Sequence, residues 1–258
     1  MHAAPFLRLA ALALLLCTGA FAQAPQTSTY EPTVGQGGKD VVWVPTSHAL
    51  LEKMLDMARV TPKDFVMDLG SGDGRTVIAA AKRGARTLGI EYDADMVELS
   101  RVRAEKAGVS GRARFRQADL FETDFSEATV ITMFLLPSIN LKLRPALLGL
   151  KPGTRIVSNT FTMDAWQPDE TATPDQDSGC ESWCTALLWI VPAKVAGKYP
   201  LPVGKLVLKQ EFQMLSGTLR TGGTTYVLQG RVRGEEVSFQ AGGKEYRGRM
   251  KGKLLELR

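Results

Sequence analysis

The stretch Val66-Met67-Asp68-Leu69-Gly70-Ser71-Gly72-Asp73-Gly74-Arg75 decides the fold. Its apolar start is typical of a buried strand, and three glycines at alternate positions follow before an amphipathic segment begins. Glycine permits a tight turn and a close approach of ligand to backbone, while the helix behind the turn offers unpaired amides to an anionic group. The G-x-G-x-G spacing differs from the G-x-G-x-x-G of dinucleotide-binding enzymes. We therefore predict a strand, a ligand-binding turn and a helix.

Short apolar runs alternate with amphipathic stretches around this turn. A helix is expected after Pro45, with Thr46 or Ser47 as its cap. Further elements are predicted as strands at 65–69, 86–91, 113–117, 129–136, 154–160 and 183–191, and as helices at 75–83, 95–107 and 139–150. Strand and helix in turn predict an α/β fold with a doubly wound, mostly parallel sheet. Residues 40–192 are assigned to this domain.

The last quarter of the chain has a different character. The whole chain of 258 residues is 44% hydrophobic, with a net charge of +5, which is ordinary for a globular protein. From Lys194 onward there are 13 Lys and Arg against 5 Glu and no Asp. The apolar period there is two, which predicts a small antiparallel β domain at 198–258, a meander or barrel, after a linker at 192–202.

The basic residues of this β domain have two interpretations. They could meet an anionic surface of the cell envelope, or they could be solvated charges that protect the edges of a small sheet. The residues concerned are Arg231, Arg233, Lys244, Arg247, Arg249, Lys251 and Lys253. Few aromatic residues accompany them, which disfavours nucleic-acid binding.

The first residues indicate export. A short basic leader precedes an apolar run, and Ala20-Phe21-Ala22 fits a signal-peptidase site, so 1–22 is predicted to be a signal peptide. Residues 23–39 are then a flexible lead-in. The expected location is periplasmic or secreted, and an uncleaved membrane anchor is the alternative.

Two cysteines, Cys180 and Cys184, remain after this cleavage. In an oxidising compartment they could form a disulfide, although a loop this short gains little from chain entropy, and free thiols stay equally open. His48 is the only histidine of the mature chain, and it lies far from both cysteines in the sequence. No metal site is predicted.

Two acidic residues extend the pattern of the glycine turn. Glu91 ends the second predicted strand, 23 residues after Asp68, where an acid can accept hydrogen bonds from ribose hydroxyls. Asp119 follows the third predicted strand, and Leu120 is placed to cover a base.

Together these features resemble the class I S-adenosylmethionine-dependent methyltransferases over residues 41–191. The resemblance implies that S-adenosyl-L-methionine is the cofactor. It also implies that the cofactor is held by Asp68, Gly70, Ser71, Gly72, Asp73, Gly74, Glu91, Asp119 and Leu120.

A closer resemblance runs through 41–46, 68–75, 134–138, 155–158 and 166–168. These stretches are similar to the group containing the mitochondrial lysine methyltransferases that modify the ATP synthase c subunit and the adenine nucleotide translocase. The resemblance implies a protein lysine as methyl acceptor. A small-molecule methyltransferase and a cofactor-binding interaction module are the alternatives.

The segment after the fourth predicted strand bears on the acceptor. Nucleic-acid methyltransferases of this fold place Asn or Asp-Pro-Pro-aromatic there, whereas this chain has Leu135-Leu136-Pro137-Ser138. No paired aromatics for a flipped base are evident, which argues against a nucleic-acid acceptor. Trp43, Thr46 and Ser138 are candidate pocket residues. No general base is assigned, and the oligomeric state is not predicted.

Overall fold

The first domain contains a seven-stranded sheet. The structure is a computed structural model that describes residues 30–202 and 204–258, so the predicted signal peptide lies outside the described residues. The elements of this domain are α1 (His48–Met57), β1 (Phe65–Leu69), α2 (Arg75–Lys82), β2 (Arg86–Glu91), α3 (Ala94–Lys106), β3 (Ala113–Gln117), β4 (Val130–Met133), α4 (Pro137–Leu147), β5 (Arg155–Asn159), β6 (Glu170–Ala172) and β7 (Ala186–Ile190).

The strands lie in the order β3-β2-β1-β4-β5-β7-β6. Strands β1 to β5 are parallel, β7 is antiparallel to β5, and β6 is antiparallel to β7. Along β1, Val66 packs in the core that contains α1, whereas Met67 packs in the core that contains α4. The mostly parallel sheet is therefore confirmed. The doubly wound detail of its connections stays a prediction.

Helix starts follow local capping rules. The side chain of Ser47, rather than Thr46, caps α1 by accepting the amide of Leu50 at 3.3 Å. Asp93 caps α3, and Gly74 precedes α2 with a left-handed φ of 78°. Among the described residues, no helix is long and apolar enough to cross a membrane.

The second sheet is an antiparallel meander. Its strands pair in chain order and are β8 (Gly197–Leu201), β9 (Gly204–Glu211), β10 (Met214–Thr221), β11 (Thr224–Arg233), β12 (Glu236–Ala241), β13 (Lys244–Lys251) and β14 (Leu254–Leu257). The predicted linker is wrong in its second half, because β8 pairs with β9 instead of running free. The apolar side chains of this sheet form a separate core around Phe239.

Direct contacts join the two sheets. Trp166 of the first domain is fully buried, and its ring stacks on Phe212 at a centroid distance of 6.2 Å. The Gln213 amide donates to the Gln167 carbonyl at 2.7 Å. Arg231 of β11 forms an ion pair at 2.5 Å with Asp169, whose side chain is 1% exposed. The β domain thus neutralises a buried carboxylate of the first domain.

We expect Arg231→Ala to destabilise the whole protein. The substitution leaves the Asp169 carboxylate buried with only the Ile190 amide as partner. Because Arg231 is half-exposed, the expected loss is about 2 kcal/mol in the free energy of unfolding, below the full penalty for a buried pair. Denaturant unfolding measures it. Arg220→Ala, an exposed position on β10, should change stability by less than about 0.5 kcal/mol; equal effects of the two variants would contradict this account.

Candidate functional site

A cavity lies beyond the carboxyl ends of β1, β2 and β4, the edge at which open α/β sheets bind ligands. The structure brings most of the sequence-predicted site residues together in its wall. These are Trp43, Thr46, Asp68, Gly70, Ser71, Gly72, Asp73, Glu91, Asp119 and Leu120. Two other predicted residues lie outside this wall. Gly74 packs against Ser100 and Phe115, and Ser138 is exposed on α4, outside the wall of the cavity.

The glycine turn needs glycine for two reasons. Gly70 and Gly72 adopt left-handed φ values of 75° and 51°, which side chains disfavour. In addition, a Cβ on Gly72 would lie only 2.6 Å from the Nε1 atom of Trp43. The indole of Trp43 therefore lies directly against the turn and closes one side of the cavity.

The carboxylate of Glu91 fixes the shape of this turn. Its Oε2 atom accepts the amide of Gly72 at 2.8 Å, and its Oε1 atom accepts the amides of Tyr92 and Asp93 at 2.8 and 3.0 Å. One side chain thus binds the loops that follow β1 and β2. Each carboxylate oxygen can accept more than one hydrogen bond, so Glu91 also has capacity for a ligand hydroxyl.

Asp68 is a buried acid in the wall of the cavity. Burial raises the pKa of Asp68 to about 7, opposed by the hydrogen bond from the Thr132 hydroxyl at 2.6 Å and assisted by the charges of Glu91 and Asp73. A cationic ligand group near this carboxyl would favour its ionised form.

Asp73 supports the turn through ion pairs. It pairs with Arg75 at 2.8 Å and with Arg103, and its side chain is 3% exposed. Burial alone would raise the pKa of Asp73, but the hydrogen bonds and charges of these arginines outweigh it and lower the pKa. Arg75 also donates to the carbonyl of Thr46 at 3.0 Å. Through its ion pair with Arg75, Asp73 therefore connects the glycine turn to the segment before α1.

The described part of the predicted lead-in contacts the cavity, and residues 36–39 line it. Gly37 pairs with Val42, and the amide of Trp43 donates to the carbonyl of Gln36 at 2.9 Å. Lys39 forms an ion pair with Asp119 and lies 4.8 Å from the ring centroid of Tyr92. The hydrogen bond from Lys39, together with the amide of Phe121, lowers the pKa of Asp119.

Polar atoms in the wall suit a cofactor with amino-acid and ribose groups. The Ser71 hydroxyl is buried and has no hydrogen-bond partner within the described residues, and a buried group of this kind is normally satisfied by a ligand or water. Asp68 supplies negative charge for a sulfonium or ammonium group. Glu91 lines the cavity and would be the residue to accept a hydrogen bond from a ribose hydroxyl. The residues present therefore fit S-adenosyl-L-methionine.

Sequence reasoning missed several residues of the wall. Lys39, Asp40, Tyr92 and Phe134 all line the cavity. Tyr92 and Phe134 directly follow β2 and β4, so their position after a strand was an available signal. No local pattern indicates that the polar segment around Lys39 returns to the sheet.

Comparison with known proteins agrees with this site. Residues 68–170 match the family model described as the ANTKMT methyltransferase domain. A protein-lysine N-methyltransferase of Saccharolobus islandicus (strain REY15A) is 44% identical over 133 residues, which are 50% of this chain and 83% of that protein. The adenine nucleotide translocase lysine N-methyltransferase of Mus musculus is 36% identical over 130 residues, 50% of this chain and 56% of that protein. The chain thus spans little more than half the length of the mouse relative.

A solved structure is also similar. It is an RNA methyltransferase from Salinibacter ruber in complex with S-adenosyl-L-homocysteine, 46% identical, with a TM-score of 0.54, and the match covers 61% of this chain and all of that one. The family match, the S-adenosyl-L-homocysteine complex of this similar structure and the site geometry agree on the cofactor. The chain belongs to the S-adenosyl-L-methionine-dependent methyltransferases, in a family that includes the protein-lysine N-methyltransferase of Saccharolobus islandicus.

Proposed function

We infer that this protein methylates a lysine side chain of another protein, and that it does so in the cell envelope. The observation that carries the lysine assignment is the 44% identity to a protein-lysine N-methyltransferase, over 83% of that relative. The end of β4 supports it. Phe134 and Leu135 line the cavity there in place of the polar residues that would hold a base.

The chain's own contribution to the reaction is alignment and exclusion of water. S-adenosyl-L-methionine supplies an activated methyl group, so no oxidation or reduction is needed. The acceptor lysine must first release a proton to solvent. Its nitrogen lone pair then forms a bond to the methyl carbon, while the carbon–sulfur bond breaks and its electrons stay on sulfur. Trp43 and Phe134 enclose the cavity, and such positioning accounts for most of the acceleration expected here.

RNA methylation is the competing function, because the similar Salinibacter ruber structure is named an RNA methyltransferase. The structure corrects one detail of the sequence argument against it. The sequence predicts no paired aromatics near the acceptor, whereas Phe134 and Phe161 stack beside the cavity at a centroid distance of 5.8 Å. The proposal that the methyl acceptor is a lysine therefore rests on the protein-lysine N-methyltransferase relatives. Labelling with tritiated methyl distinguishes it from RNA methylation.

We expect tritiated methyl from S-adenosyl-L-methionine to enter protein when the purified enzyme is incubated with envelope extract. Mass spectrometry should place the methyl group on lysine. Glu91→Ala should reduce the label at least about tenfold, because it weakens cofactor binding, and Glu105→Ala, exposed on α3, is the matched control. Label in RNA alone would replace the lysine assignment by the competing function, and label in an extracted metabolite alone would indicate a small-molecule acceptor.

The envelope location is supported by sequence and by one covalent bond. The predicted signal peptide ends at Ala22, and the structure joins Cys180 and Cys184 in a disulfide. Disulfides persist mainly in oxidising compartments such as the periplasm. The uncleaved anchor remains the alternative within this proposal.

Export predicts a defined amino terminus. Protein purified from an envelope fraction should begin at Gln23, as determined by amino-terminal sequencing, because cleavage is expected after Ala22. A variant with Ala20 and Ala22 both replaced by arginine should keep the leader, since the peptidase needs small residues there. A parent chain that begins at Met1 and stays in the cytosol would refute the location.

A further inference from the structure

An apolar groove adjoins the cofactor cavity. Its side chains include Val42, Phe134, Leu136, Phe161 and Trp183, which come from separate segments of the chain. Val42 and Phe134 line the cavity as well as the groove. The groove therefore adjoins the cavity beside the end of β4.

Trp183 is an unusual residue for an exposed loop. It is 45% exposed and adopts a left-handed φ of 52°, and bulky residues rarely take that conformation without a cause. Its ring contacts Phe134 at a centroid distance of 6.1 Å. With exposed Val42 and Leu136, Trp183 forms an apolar patch along the groove, and such patches mark interaction sites.

The disulfide fixes the loop that carries Trp183. Cys180 and Cys184 lie on either side of it, and Cys180 packs against the core beneath α1. Thr160 and Thr185 add a backbone hydrogen bond of 2.6 Å at the base of the loop. A loop this short gives a disulfide its smallest effect on overall stability. Its main effect is therefore local, on the position of Trp183.

We propose that this groove binds the acceptor lysine together with apolar residues beside it, and that the Cys180–Cys184 disulfide positions Trp183 as one wall. This rests on the proposed lysine methylation and names the acceptor's recognition site. The alkyl chain of the lysine lies along Phe134 and Trp183, with its nitrogen directed to the cavity. Exposed Val42 and Leu136, at 56% and 42%, contact the apolar flanks of the acceptor.

Charge favours a lysine over a base in this groove. Among the described residues that line it, Lys39 and Asp40 are the charged ones, and Lys39 is already paired with Asp119. The described lining residues therefore include no unpaired cation that could bind a phosphate. The Asp40 carboxylate and the aromatic faces, in contrast, both attract an ammonium group. The stacked rings of Phe134 and Phe161 contact each other at 5.8 Å, which leaves no room for a base between them.

The test measures peptide binding by the mature chain saturated with S-adenosyl-L-homocysteine. The probe is a fluorescent peptide with one lysine between valine and leucine, and the controls carry norleucine in place of lysine or glutamate in place of the flanks. The lysine peptide should bind more tightly than both controls. Trp183→Ala should weaken it about tenfold, while Trp183→Phe should retain most of the affinity.

The disulfide is tested with the paired variant Cys180→Ser and Cys184→Ser. It should weaken peptide binding severalfold and leave the affinity for S-adenosyl-L-homocysteine unchanged, since Trp183 does not line the cavity. Tyr226→Ala, at an exposed aromatic of β11, is the matched control and should have no effect. Unchanged cofactor affinity shows that each variant is folded.

Two results would overturn the proposal. One is equal affinity of the parent and Trp183→Ala for the lysine peptide. The other is equal binding of the lysine peptide and the norleucine peptide by the parent protein. This result would also overturn the proposal if a single-stranded RNA oligonucleotide bound to the groove and lost affinity in Trp183→Ala. If the lysine peptide binds as expected but no methyl label enters lysine, the proposed reaction is wrong. The groove would then still be a lysine-binding site.

Discussion

The hydrogen bonds between the Glu91 carboxylate and the amides of Gly72, Tyr92 and Asp93 hold the site together. They join the loops after two neighbouring parallel strands, beyond the last paired residues of β1 and β2. The glycine turn keeps its left-handed conformation within that frame, and Trp43 can then approach Gly72 closely enough to cover the cavity. A single side chain thus links the fold of the sheet to the shape of the binding site.

The cavity is also matched to its ligand by charge. Asp68, Glu91 and Asp119 all line it, and Asp68 is buried deeply enough that its pKa rises to about 7. Burial and repulsion by the charges of Glu91 and Asp73 both oppose the ionisation of Asp68. A sulfonium and an ammonium group relieve that repulsion. The arrangement therefore favours a cationic cofactor over a neutral one of the same shape.

The first sheet could be predicted well because its signals are local. Strands β1, β2 and β3 begin and end where the apolar runs do, and the glycine turn and Glu91 lie where their spacing places them. The features that sequence reasoning missed depend on contacts between distant segments. Lys39 pairs with Asp119, 80 positions later, and the apolar groove brings together Phe134, Phe161 and Trp183 from three parts of the chain. Phe212, in the turn between β9 and β10, likewise contacts Trp166 from a distant part of the chain.

The most direct measurement is titration calorimetry of the mature protein with S-adenosyl-L-methionine, for the parent, Glu91→Ala and Glu105→Ala. One cofactor should bind per chain of the parent, and the affinity of Glu105→Ala should be unchanged. Glu91→Ala should lose about 1.5–3 kcal/mol of binding free energy, a factor of roughly ten to a hundred in affinity, while circular dichroism shows a folded protein. A parent that shows no binding, or a folded Glu91→Ala variant that binds as tightly as the parent, would contradict this account.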